Sequence, residues 1–201
     1  MTRKGYFDIP QSLREIIKVT ALAFLALALI GFVLGLLRPE TITPLLDMFA
    51  RMVEENDLAE IEGAELMAEI LTNNLTALFL AMFLGMIPFL RLPAMELGLN
   101  ALLLGAMASV YQREGISLAA YFAGTLPHGI TELSALVIAI AAGLNLCRAV
   151  SDTLLRRAEK GAVLRAVADA MLLYARFVMP LLLVSAFIEA FITPSLMARF
   201  L

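Results

Sequence analysis

One cysteine, one histidine and no tryptophan occur in this chain, and only 16% of its residues are charged. The single cysteine, Cys147, excludes an internal disulfide and is silent on redox compartment. The single histidine, His128, excludes a hydrolytic centre built on two or three histidines, the His-Glu-x-x-His pattern included. No Gly-x-Ser-x-Gly, Gly-Lys-Thr or paired-cysteine motif is present, and there is no internal repeat or low-complexity segment. A net charge of -3 and a pI near 5.2 give no footing for nucleic acid.

What is present is apolar surface. Of 201 residues, 61% are hydrophobic, and the mean hydropathy is +0.89. A soluble domain has too little interior to hide this, so the expected class is an all-α, polytopic membrane helix bundle forming one integral domain over 1–201, with the lipid bilayer as its solvent. The N-terminus, MTRKGYFDIPQSLREIIK, is too long and too charged to precede a cleaved signal, so the first apolar stretch reads as a retained span. Five spans are expected, at about 16–37, 71–90, 94–111, 128–147 and 167–192. Between the third and fourth, Ile116 to Leu126 is mostly apolar but too short to cross. It reads as a re-entrant half-helix ended by Pro127.

Charge sets the expected orientation. Arg3, Lys4, Arg14 and Lys18 precede the first span, Arg91 lies between the second and third, and Arg148, Arg156, Arg157, Lys160 and Arg165 crowd the last loop. The long loop at about 38–70 instead holds half of the 18 acidic residues: Glu40, Asp47, Glu54, Glu55, Asp57, Glu60, Glu62, Glu65 and Glu69. Basic loops stay inside, so the expectation is a cell-membrane protein with a cytoplasmic N-terminus and an external C-terminus. In the acidic loop, Leu45, Met48, Phe49, Met52 and Val53 follow amphipathic spacing, with Pro44 in the first turn and Thr43 as N-cap. Its charged side reads either as a solvated face or as a docking surface.

His128 and Glu132 are four residues apart and share a helix face, where imidazole and carboxylate can serve as metal ligands. Two ligands are too few. The expected topology brings Glu189, Asn73 and Asn74 to the same outer third, so His128, Glu132 and Glu189 form a candidate site for a divalent metal such as zinc. A proton-linked pair and a structural hydrogen-bond network are the competing readings, and the polar cluster takes in Asn73, Asn74, Asn100, Pro127 and Gly129. Arg176 is expected to snorkel or to bond Asn100. Gly31 and Gly35 form a small-xxx-small pair suited to close helix approach, with a homodimer seam as one use.

Asn73-Asn74 with Ala77 and Gly85, Gly98-Leu99-Asn100 with Gly105, Leu126-Pro127-His128-Gly129-Ile130 with Glu132-Leu133, Ala142-Gly143-Leu144, and Ile188-Glu189-Ala190-Phe191-Ile192-Thr193-Pro194 together resemble the stage II sporulation protein M family. Where that family often has Asn-Gly, this chain has Asn100-Ala101. The resemblance implies a multi-span scaffold or assembly factor that organises envelope partners such as cell-wall hydrolases, with homo-oligomers expected. It carries no enzymatic activity, and its polar positions map onto Asn74, His128, Glu132 and Glu189. Two other function classes remain open from the residues alone. One is an intramembrane metal-dependent hydrolase with Glu132 or Glu189 as base. The other is a small transporter or channel component built around the break at Pro127.

Overall fold

A computed structural model describes residues 11–55 and 61–197; Arg3, Lys4, Asp57 and Glu60 lie outside the described residues. Helix α1, Gln11–Leu37, is apolar on every side after Lys18. After Arg38 alone, α2, Pro39–Glu55, begins with a proline in its first turn, where the missing N–H has no helical partner to lose. Thr43 is therefore inside α2 and not its N-cap; its hydroxyl donates back to the Pro39 carbonyl at 3.0 Å. Helices α3, Gly63–Phe83, and α4, Pro93–Arg113, are joined by a turn in which Phe89 and Arg91 adopt φ of 67° and 47°. That turn is tied to the following helix: Phe89 N–H donates to Ser151 Oγ at 2.9 Å, and the Cys147 thiol to the Ile87 carbonyl at 3.4 Å.

Helix α5, Leu118–Leu154, is the axis of the molecule. Ser117 caps it by accepting from Ala120 N–H. It runs through Pro127 without interruption, so the segment before that proline is not a re-entrant half-helix but the first turns of a 37-residue helix. A proline removes one hydrogen bond and crowds the preceding carbonyl, which weakens a helix locally without having to end it when both flanks are long and packed. At 1.5 Å per residue α5 extends about 55 Å, well beyond the ~30 Å of a hydrocarbon core.

The last passage is a rod of α6, Ala162–Leu173, α7, Met179–Phe187, and α8, Thr193–Met197, joined by two π-helical turns, Tyr174–Val178 and Ile188–Ile192. Each π turn is followed two residues later by a proline, Pro180 and Pro194. A proline cannot donate to the carbonyl four residues back and its ring presses on it; a wider turn just upstream relieves that clash without breaking the rod. The first π turn is held from outside by the Tyr174 hydroxyl, which donates to the Leu75 carbonyl of α3.

Five helical passages are long and apolar enough to cross a membrane: Leu13–Leu37, Gly63–Met86, Pro93–Arg113, Leu118–Leu154 and Ala162–Leu196. No strand occurs among the described residues, and the fold is an all-α bundle. The spans expected at 71–90 and 128–147 differ most from what is seen. The second begins at Gly63 and stops short of Pro88, and the fourth is extended at both ends.

The core follows α5. Ala135, Ala139, Ile140, Ala141 and Leu146 are shielded completely. Large side chains on the outside of α1, such as Leu22 and Leu25, are more than half exposed, as a lipid-facing surface requires. Close packing is achieved with glycine. A Cβ on Gly31 would collide with the backbone of Leu102, one on Gly105 with that of Ala28 and Phe32, and one on Gly35 with Ser109. The Gly31/Gly35 pair is thus spent inside the chain, fastening α1 against Gly105-x-x-x-Ser109 of α4, and gives no argument for a dimer seam. At Ala101 the methyl is fully buried.

Candidate functional site

Residues far apart in sequence meet around the proline-bearing stretch of α5. His128 and Glu132 project from one face, as their spacing predicts. Opposite them stands Glu189, in the second π turn. One ligand-capable atom from each of the three lies within 4.8 Å of the others. The extra residue that a π turn inserts rotates everything beyond it around the rod, which changes the direction of Glu189 relative to a regular helix.

Hydrogen bonds fix the orientation of each group. Asn74 Nδ2 of α3 donates to Glu132 Oε1 at 3.4 Å. His128 Nδ1 lies 3.2 Å from Thr193 Oγ1, and the Thr193 hydroxyl donates to the Ile188 carbonyl at 3.3 Å. With the Thr193 hydrogen so placed, the contact favours the tautomer protonated at Nδ1, in which Nε2 carries the lone pair. The His128 carbonyl accepts from Thr131 Oγ1 at 2.8 Å and from the fully buried Ser185 Oγ at 3.1 Å. The Ser185 bond pins α7 to α5 at the level of the imidazole.

Two cavities, each of about 450 Å³, flank the cluster and share Glu132 and Asn100 in their walls. One lies among α3, α4 and α5 under the apolar side of α2, with Leu45, Met48, Phe49 and Met52 on its outer wall and Asn73, Asn74 and Glu96 inside. The other is lined by His128, Gly129, Glu132, Glu189 and Thr193, with Tyr111 and Tyr121 toward its end. Tyr121 is fastened by donating to the Leu104 carbonyl at 2.7 Å.

Of the residues expected at the site, His128, Glu132, Glu189 and Asn74 converge, and Asn73 and Asn100 line the adjoining space. The Asn100 amide turns to Glu96, donating to its Oε1 at 2.9 Å and to its carbonyl at 3.0 Å. Gly129 is buried, yet a methyl there would meet only Thr125 Cγ2 at an ordinary 3.6 Å, so no close approach depends on it. Pro127 lines neither cavity. Counted by helical rise, Asn74 lies about 17 Å and Glu132 about 21 Å from the α2 ends of their helices.

Sequence reasoning missed Glu96, Thr193 and Ser185. Glu96 and Asn100 stand in an i, i+4 relation that could have been read as a pair. Thr193 carries a fainter signal, its place beside Pro194. Ser185 carries none, since only packing brings it under the His128 carbonyl.

An imidazole nitrogen and two carboxylates are a donor set for a divalent cation, for a shared proton, or for a hydrogen-bond network around water. Comparison with known proteins bears on which lineage built it. The sequence profile described as Stage II sporulation protein M matches residues 20–194, from within α1 through the whole cluster. A protein of Methanocaldococcus jannaschii, described only as uncharacterized, is 34% identical over 127 residues, covering 63% of this chain and 70% of that protein. No solved structure matches the chain. This chain belongs to the stage II sporulation protein M family.

Proposed function

We propose that this membrane protein is a scaffold, which uses an acidic rim at the α2 end of the bundle to hold partners in the cell envelope. The observation that carries the reading is the rim. Glu40, Asp47 and Glu54 of α2, Glu62 before α3, and Glu65 and Glu69 in it are all exposed, while Ile42 is buried and Leu45 and Phe49 face the bundle. With a single residue between α1 and α2, the helix is held at a fixed angle to the bundle, which suits presentation more than capture by a loose arm. A negative rim favours partners with basic surfaces and speeds their encounter. The basic Arg148–Arg165 turn at the opposite end supports a cytoplasmic N-terminus and an external rim.

The channel or transporter reading rested on a helix break at Pro127, and α5 is continuous there. The test is photocrosslinking from position 54 in intact cells, with Asp47→Lys, Glu65→Lys and Glu69→Lys combined in a second strain. A defined envelope partner, lost at least tenfold on charge reversal, supports the scaffold. Equal crosslinking in both strains overturns it.

A further inference from the structure

We infer that His128, Glu132 and Glu189 bind one divalent transition-metal cation, which fastens the π turn Ile188–Ile192 to α5. Three observations converge. The three donor atoms already lie within 4.8 Å of one another. Zinc, with bonds of ~2.0–2.1 Å, holds tetrahedral donors roughly 3.4 Å apart, a closure within reach of carboxylate side-chain rotation. Second, the imidazole is held by Thr193 at Nδ1, and the tautomer protonated at Nδ1 presents Nε2 as the coordinating nitrogen. A hydroxyl or carbonyl on the other ring nitrogen is the usual support of a metal-bound histidine. Asn74 on Glu132 supplies the equivalent restraint on the carboxylate. Third, the site opens to the cavity bounded by Thr125, Gly129 and Thr193, which leaves a coordination position for water.

Charge points the same way. Two carboxylates are placed side by side in an apolar bundle, and neither forms a salt bridge among the described residues. A divalent cation cancels both charges at once, where low dielectric makes their mutual repulsion largest. One nitrogen with two oxygens favours zinc or its first-row neighbours over calcium and magnesium, which take all-oxygen sites. The inference does not depend on the scaffold reading, since a scaffold without the metal, or a metal site without the scaffold, is physically coherent.

The experiment uses the full chain in detergent with any polyhistidine tag removed, so that His128 is its single imidazole. The protein is incubated with zinc alone or calcium alone, desalted, and its metal content measured. About one zinc and no calcium per wild-type chain is expected, with retention falling more than tenfold in His128→Ala and in Glu132→Gln/Glu189→Gln. Thr193→Val, which removes only the orienting hydroxyl, should weaken zinc binding about tenfold. Zinc should also raise the unfolding temperature of the wild type and leave that of the double variant unchanged. Wild-type protein without retained zinc, or equal retention of zinc and calcium, overturns the inference whatever the variants do. Undiminished zinc in a correctly folded double variant does so as well.

Discussion

Replacing Gly105 by alanine tests the idea that the glycine seam works within one chain. A Cβ at this position would collide with the Ala28 carbonyl oxygen and lie 2.6 Å from Phe32 N and 2.9 Å from the Ala28 carbonyl carbon. All three atoms are backbone, so no side-chain rotation relieves the clash. Restoring ordinary contact with the Ala28 oxygen requires α1 and α4 to separate by more than about 1 Å, which forfeits about half or more of the dispersion energy of the atoms that had been touching. Overpacking of this kind costs about 1–3 kcal/mol. For a chain of this size, that corresponds to a fall in Tm of roughly 2–12 °C. Gly98→Ala is the matched control on the same helix, since nothing lies within 4 Å of a methyl there. Helix propensity alone predicts a gain of up to about 1 kcal/mol at Gly98. Cys147, 2% exposed and the one cysteine of the chain, reports unfolding through a thiol-reactive fluorophore. The Gly105→Ala loss should be independent of protein concentration. A wild-type Tm for Gly105→Ala, an equal fall for Gly98→Ala, or a loss that diluting the wild type reproduces would refute the intramolecular seam.

Two further substitutions probe the rods. Pro127→Ala restores a donor in the middle of α5 and should leave Tm unchanged or raise it by several degrees; failure to fold would mean that the proline is required for the path of α5. Tyr174→Phe keeps the edge-on contact with Phe79, at a 5.4 Å ring separation, and loses only the hydroxyl's bond to the Leu75 carbonyl. It should cost about 1 kcal/mol in the same thermal assay, and an unchanged Tm would show that this bond adds nothing to the anchoring of the first π turn.

How much was legible in the chain differs from element to element. Long apolar runs identified all five passages because length and hydropathy are local properties. The i, i+4 spacing of His128 and Glu132 placed both on one face for the same reason. Pro127 misled, since local propensity says where a helix is weak, and the packing of α5 against its neighbours decides whether it ends. The proline rule did hold a usable signal elsewhere, at Pro180 and Pro194, each preceded by a π turn.

Composition and periodicity by themselves determined that this is a five-passage all-α membrane bundle with an acidic segment at one side and one histidine, four residues from a carboxylate. Only the tertiary structure decided that Glu189 faces that pair and that the glycines serve α1 and α4 of one chain. The physical reason is range. Helix formation answers to neighbours within a few residues, whereas the meeting of His128 with Thr193 and of Asn74 with Glu132 spans 65 and 58 residues and depends on how whole helices pack.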